Sequence, residues 1–348
     1  MTTIDIVKQH PLVPIAFPKR EALKEGVTLL AADVGGTKID LALMEVQNGN
    51  LSIIRETVYP SRQFSSLLEA IRHFIGHSPL PERLSIAFAG PVQDGKAYAT
   101  NLGWHIDTRV LSEETGIAQV FLINDLEAEA YGLAALKKED LITIYAGNAA
   151  AKGNAAIIAP GTGLGEAGLY WDGSALHPFA TEGGHTDFAP RNDFDWELLQ
   201  YLHHKFGHVS WERVLSGPGI CNIYNFLRDV KHWEEPAWLK ENMKVQEPGA
   251  AIGSAAQEGC PICVETLQVF ARYLAVEASN LALKLNATGG VFIGGGIPPK
   301  IWNGNLQAIF LEHYLQVGRL RPLMELVPVH IVLNTQAVLL GAAYYGKM

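Results

Sequence analysis

The chain has 348 residues, 48% of them apolar and 18% charged, with a formal net charge of −9. That length suits two lobes better than one simple core, and the apolar content excludes wholesale disorder. The acidic balance argues against nucleic acid or an anionic membrane surface as a main partner, but it leaves a phosphate-bearing small molecule open, because glycine loops and Mg²⁺ handle phosphate locally. Three cysteines (Cys221, Cys260 and Cys263) cannot build a disulfide framework and suit a reducing compartment. No stretch reads as a signal peptide or approaches the roughly 20 apolar residues of a spanning helix, so a cytoplasmic protein is expected.

Residues 1–26 read as an extension interrupted by Pro11, Pro14 and Pro18. A buried strand is predicted over 27–32, running into Asp33-Val34-Gly35-Gly36-Thr37-Lys38, and a returning strand over 39–46. A third strand spans 51–58 after the turn 48–50. A helix over 65–75 places Phe64, Leu67, Leu68, Ile71 and Ile75 on one face. Strands over 84–89 and 120–123 follow, the second leading through Asn124-Asp125 into a helix over 126–137. The same grammar then restarts. A strand over 155–159 meets Pro160-Gly161-Thr162-Gly163-Leu164-Gly165, and the chain returns over 168–171. A long helix over 264–285, a strand over 290–293 and the loop 294–299 come later. Two strand–glycine turn–strand openings suggest two related lobes, each with a phosphate-facing hairpin.

Each motif has a functional and a bland reading. The glycines at 35 and 36 let backbone N–H groups approach an anion, and Asp33 can hold Mg²⁺ directly or through water. An ordinary glycine hairpin with a turn aspartate has the same residues. Gly161, Thr162 and Gly163 repeat the device, with neither the Lys of a Walker loop nor a dinucleotide fingerprint. Asn124 and Asp125 are good helix caps. Alternatively, Asp125 accepts a proton from an attacking hydroxyl, as a weaker base for its place at a helix N-terminus. Glu182 and His185, three residues apart around Gly183-Gly184, can grip vicinal hydroxyls or form a plain surface loop. Glu212 is either a further sugar contact or a surface residue paired to Arg213 or another cation, and Ser216 to Gly219 shapes a turn. Gly294-Gly295-Gly296 allows a flat adenine or ribose against the backbone, or is a tight connection. Cys260-Pro261-Ile262-Cys263 lacks the further ligands of a zinc site, so packed cysteines at a helix start are expected. His203 and His204 are expected on a helix surface.

The order of these motifs is more specific than any one of them. Asp-x-Gly-Gly-Thr is followed by Ala89-Gly90-Pro91-Val92 with Thr100-Asn101-Leu102. Then come Asn-Asp, Gly-Thr-Gly-Leu-Gly, Glu-Gly-Gly-His, Glu-Arg-Val-Leu-Ser-Gly-Pro-Gly and the Gly294 loop. From about Leu29 to Gly341 the series resembles the bacterial-type glucokinase family, within the hexokinase and actin-like ATPase superfamily. The resemblance implies a two-lobed α/β (ribonuclease H-like) fold, with a mixed sheet in each lobe flanked by helices. The small lobe is expected at 27–134 plus 334–348 and the large lobe at 135–333, with the active site in the cleft between them. It implies transfer of the ATP γ-phosphoryl to the 6-hydroxyl of glucose with Mg²⁺, by a homodimer. Asp125 becomes the catalytic base. Asn124, Glu182, His185 and Glu212, with Asn101 in addition, become sugar ligands. Asp33, Gly35, Gly36 and Thr37 form the first phosphate loop, with Asp33 near Mg²⁺. Gly161, Thr162 and Gly163 form the second, and Gly294, Gly295 and Gly296 the adenosine motif. Lys38 stands where many bacterial glucokinases have Asn and is similar to the neighbouring repressor–kinase (ROK) family, whose zinc-binding cysteine cluster is missing after His185.

Two rival readings remain. One is a kinase of the same fold acting on another hexose or using polyphosphate. The other is a sugar-sensing regulator, against which stand the few residues before the first strand, too few for a DNA-binding helix-turn-helix.

Overall fold

The computed structural model describes residues 13–148 and 150–348, and the chain divides into two compact units. The first comprises residues 13–140, Leu169–Ala180 and Asn334–Met348. The second comprises Leu141–Gly168 and Thr181–Leu333.

In the first unit, β1 (Thr28–Val34), β2 (Lys38–Gln47) and β3 (Asn50–Pro60) form an antiparallel meander, and β4 (Arg83–Phe88) lies parallel to β1. A small antiparallel sheet of β5 (Val92–Gln93), β6 (Lys96–Ala99) and β7 (Trp104–Asp107) follows; it was not foreseen from the sequence, because its strands are too short for a period to show. Then β8 (Gln119–Asn124) pairs parallel to β4, and the main sheet runs β3-β2-β1-β4-β8. Leu29, Leu30, Ala31 and Ala32 are fully buried, as expected of a strand covered on both faces. The expected helix over 65–75 is Leu67–Ile75, capped by Ser66 Oγ accepting the Glu69 N–H.

The parallel register decides where the chemistry emerges. Asp33 is level with Ala87, and Ala87 with Ile123. Asp33 and the Asn124-Asp125 pair therefore leave the sheet at the same edge. The helix after β8 is Asp125–Gly132, shorter than the expected 126–137, and a 3₁₀ turn Leu133–Ala135 follows it. It stops where the C-terminal helix Ala337–Lys347 presses on it. A Cβ on Gly341 would lie 1.7 Å from the Ala128 carbonyl oxygen, and one on Gly132 would lie 2.1 Å from that of Ala337. The two helices touch backbone to backbone, which only glycine permits.

Residues 13–26 pack on this unit; the rest of the extension lies outside the described residues. Val13 and Leu23 are buried, and Phe17 stacks on Tyr131 at 5.2 Å. The Ala16 and Leu23 N–H groups donate to Leu176 and Lys347 at 2.8 Å each. Arg83, buried in β4, donates to the carbonyls of Glu21, Gly346 and Lys347, tying this segment to the chain's end.

The second unit carries a sheet of order β12-β11-β10-β13-β14-β9. Its strands are β9 (Leu141–Tyr145), β10 (Ala155–Pro160), β11 (Leu164–Trp171), β12 (Leu176–Thr181), β13 (Gly290–Ile293) and β14 (Val329–Val332), the outer part of the β11–β12 hairpin grouping with the first unit. The predicted long helix is Pro261–Leu285, started by Pro261 and stopped by Asn286 at φ 49°. Cys260 and Cys263 are buried at its start, and His203 and His204 are exposed on the helix Asp193–Phe206. Trp211, Phe226, Phe310 and Tyr314 are almost fully buried in the same core as Phe270 of that long helix. The Gly294 loop ends in a single helical turn, Pro298–Ile301. No described helix is long and apolar enough to cross a membrane.

Adding a methyl group at Gly341 forces the C-terminal helix off the Asp125 helix. Gly341→Ala is expected to lower the unfolding free energy by about 1–3 kcal/mol, the usual range for overpacking, as read by urea denaturation. A change below about 0.5 kcal/mol, the range of a neutral surface substitution, contradicts the close approach.

Candidate functional site

In the first unit the turn between β1 and β2 is held by its own backbone and by β3. The Gly35 N–H donates to Lys38 O at 3.0 Å. Ser61 is fully buried at the end of β3; its hydroxyl donates to Gly35 O at 2.8 Å and its N–H to Thr37 O at 2.9 Å. Gly36 and Thr37 are exposed, and a Cβ at Gly36 would lie 3.8 Å from Asn101 Nδ2. The turn thus presents the exposed backbone of Gly36 and Thr37 beside an amide side chain, which suits an anion or a polar ligand.

Asn124 caps the helix at the end of β8. Its Oδ1 accepts from the Leu126 and Glu127 N–H groups, and its Nδ2 donates to Gly90 O at 3.0 Å. Capping therefore takes both acceptor sites of this buried side chain and leaves one N–H for a ligand. Asp125 is the first helical residue, and its Oδ1 accepts from the Leu126 N–H at 2.9 Å. The sequence suggested that the helix end would favour its charged form. Burial outweighs that, and with the negative charge of Asp33 and Glu129 it pushes the Asp125 carboxyl up to about 7. Burial also raises Asp33, against the pull of Lys38.

Asp40 escaped the sequence reading. It sits directly across from Asp33 in the β1–β2 ladder, is buried, and is raised to about 6 by burial and then by Glu56. A polar residue at a buried position of an apolar strand was the available signal. These are hard oxygen donors. Among the described residues no group of three or more His, Cys, Asp or Glu is arranged to hold a metal alone. A cation at Asp33 would take its remaining ligands from phosphate and water, which is the habit of Mg²⁺.

In the second unit the two glycine loops lie side by side, because β10 and β13 are parallel with Ile158 level with Ile293. The Gly294 N–H donates to Ile158 O at 2.9 Å. Gly295 has φ +76°, and a Cβ there would lie 2.4 Å from Pro160 O. Gly161 and Gly296 have open space above them, and Thr162 is exposed.

Glu212 lies on the 3₁₀ turn Trp211–Arg213 and does more than the sequence suggested. Its Oε2 accepts from the Leu164 N–H at 3.0 Å, fixing the end of the 160–165 loop. Gly163 makes room for it, since a Cβ there would lie 2.5 Å from that oxygen. Arg213 stacks on Phe206 at 4.1 Å. Ser216 to Gly219, expected to shape a turn, instead start the helix Gly217–Asp229: Ser216 Oγ donates to Glu212 O and accepts from the Gly219 N–H as the cap, while the Gly217 N–H donates to Gly161 O.

The structure brings Glu182, His185 and Glu212 together. His185 Nδ1 is 4.0 Å from Glu182 Oε2, and its Nε2 is 3.9 Å from Glu212 Oε1. The Trp211 N–H donates to Thr186 O at 3.0 Å and the Phe188 N–H to Val209 O at 2.9 Å, so backbone hydrogen bonds join the two segments. Beneath them Phe188 meets Trp211 edge-on at 5.0 Å and Tyr273 at 5.1 Å. Such pairs contribute about 0.5–1.5 kcal/mol each beyond burial. The cluster offers carboxylate acceptors and an imidazole on a braced surface.

A family model described as glucokinase matches residues 30–348. The glucokinase of Trichormus variabilis is 44% identical over 335 residues, covering 90% of this chain and 97% of its own. That of Synechocystis is 38% identical over 345 residues, covering 91% and 97%. Among solved structures, a glucokinase from an Antarctic psychrotroph is 34% identical with a TM-score of 0.76, over 91% of this chain and 97% of that one. A ROK family glucokinase from Streptomyces griseus, solved with glucose and AMPPNP, shares the fold at 20% identity and a TM-score of 0.62, over 92% and 99%. The chain belongs to the glucokinase family, whose model begins beyond residues 13–26.

The Asp125 carboxyl has a folded pKa above its unfolded one. Its contribution to stability is greatest below the unfolded value and is lost as pH rises through about 7. Asp125→Asn, which keeps the Oδ1 acceptor, is therefore expected to gain stability over the parent as pH rises from about 4 to about 8, by roughly 4 kcal/mol in urea denaturation, the equivalent of the shift from 3.8 to about 7. A stability difference flat across that range contradicts the raised value.

Proposed function

We propose that this enzyme phosphorylates glucose, transferring the ATP γ-phosphoryl to the 6-hydroxyl and releasing glucose 6-phosphate and ADP. The observation that carries the reading is the raised Asp125 carboxyl beside Asp33, within a chain 44% identical to a glucokinase. A carboxylate with a pKa of about 7 is matched to taking a proton near neutral pH. Asp125 is the base for the 6-hydroxyl, and the glucose hydroxyls are gripped by Glu182, His185 and Glu212, with the free N–H of Asn124 and the amide of Asn101. Each carboxylate accepts from a hydroxyl, and His185 accepts or donates.

The phosphates of ATP take the backbone of Gly35, Gly36 and Thr37 and of Gly161, Thr162 and Gly163. The adenosine lies over Gly294, Gly295 and Gly296, where the backbone admits a flat group. Asp33 would hold Mg²⁺, directly or through water, and the ion would neutralise charge on the phosphates. Phosphoryl transfer asks the protein mainly for alignment and charge stabilisation, so the hydroxyl proton can pass to Asp125 late in the step. The same reading makes the enzyme a cytoplasmic homodimer, on the strength of the family resemblance.

A coupled assay with glucose, mannose, fructose and N-acetylglucosamine, each with ATP or polyphosphate, tests the substrates. Glucose with ATP is expected to give the highest kcat/KM, and a higher value for any other pair overturns the assignment. In the same assay Asp125→Asn should keep the glucose KM within a few-fold while kcat falls by about 10²–10⁴, the range for loss of a general base. Near-normal turnover removes Asp125 from the role.

A further inference from the structure

Glu166 stands on β11, one residue beyond the 160–165 loop, and is 1% exposed. Its Oε1 has no hydrogen-bond partner among the described residues. The turn carrying Glu182 and His185 rests on it. A Cβ at Gly183 would lie 2.0 Å from Glu166 Oε2, so the turn's backbone sits directly against the carboxyl. The Thr181 hydroxyl donates to Glu166 O at 2.8 Å, and the Gly183 N–H to that hydroxyl at 3.2 Å, fixing the turn's entry to the same residue. Gly184 is held as closely, with a Cβ position 2.1 Å from Leu164 O.

We propose that Glu166 is a positioning residue for sugar recognition, its carboxyl forming the floor that sets the height of the Glu182 and His185 turn. The proposal rests on the reading of that turn as the sugar grip. Glu166 touches neither glucose nor ATP in this account and acts through Gly183.

Its protonation follows from its surroundings. The helix Pro261–Leu285 faces it with Glu277 and Lys284, and the turn above carries Glu182 and His185. Glu277 is fully buried and accepts from Asn280 Nδ2 at 2.8 Å and Lys284 Nζ at 3.2 Å. Among the described residues nothing comparable reaches Glu166 Oε1. Burial, and then the charge of Glu277, push Glu166 up to about 8, with Lys284 pulling the other way. At neutral pH the floor is a neutral carboxyl. Above about pH 8 it ionises beneath a turn that already carries Glu182, and the turn should lift.

The test measures kcat and KM for glucose and for ATP between pH 6 and about 9. The enzymes are the parent, Glu166→Gln, Glu166→Ala and Glu182→Gln. Glu166→Gln keeps shape without charge. It should match the parent near neutrality and lack the parent's rise in glucose KM at alkaline pH. Glu166→Ala removes the floor and should raise glucose KM by about 10-fold or more, since a misplacement near 1 Å can cost 10²-fold, while ATP KM moves less than about three-fold. A glucose KM within two-fold of the parent in Glu166→Ala overturns the proposal, as does an ATP KM that rises equally. If Glu166→Ala does not fold, the alkaline KM of the isosteric Glu166→Gln decides alone, and a rise identical to the parent's overturns it. Glu182→Gln separates the premises: unchanged glucose KM there sinks the sugar-grip reading itself, whereas a raised KM there with an unaffected Glu166→Ala sinks only the positioning role.

Discussion

A carboxyl buried beside another negative charge resists ionisation, and the first unit is arranged around that fact. Asp125 follows β8 at the edge where Asp33 lies near the end of β1, because β1, β4 and β8 are parallel and in register. Burial and the Asp33 charge together outweigh the helix N-terminus that would otherwise favour the charged form. The backing of the Asp125 helix is equally constrained. Gly132 and Gly341 let the C-terminal helix meet it backbone to backbone, so the last residues of the chain support the residue proposed as the base.

The second unit solves a different problem, the holding of exposed polar groups on a firm base. Glu182 and His185 are exposed side chains, paired with each other only at 4.0 Å. Order comes from below. Phe188, Trp211 and Tyr273 interlock, backbone hydrogen bonds join the two segments, and Glu166 fills the space under Gly183. Glu212 links the two functions of this unit, with one oxygen on the end of a glycine loop and the other facing His185. Loss of its carboxylate therefore touches both the loop and the sugar grip in the proposed mechanism.

Much of this was legible in the sequence. Continuous apolar runs ending in glycine turns gave β1, β10 and the loops after them, because buried parallel strands need no alternation. The family that the order of motifs resembles is the one to which the chain belongs. What escaped was set by tertiary contact. The Asp125 helix passes into a 3₁₀ turn after Gly132, the residue that meets Ala337 of a helix more than 200 residues further along the chain. Asp40 and Glu166 gave no motif, only a carboxylate at a buried strand position, and Ser61 is one serine among many until its hydroxyl reaches Gly35. The raised pKa of Asp125 was opposite in sign to the local expectation, since a helix terminus is visible in sequence and desolvation is not.

The central claim is that Asp125 titrates near neutrality because it is buried beside Asp33. A carbon-13 NMR titration of the Asp125 carboxyl, in the parent and in Asp33→Asn, tests it most directly. The account predicts a midpoint of about 7 in the parent and a lower one once Asp33 is neutral. A parent midpoint near the ordinary aspartate value of about 4, unchanged by Asp33→Asn, contradicts it.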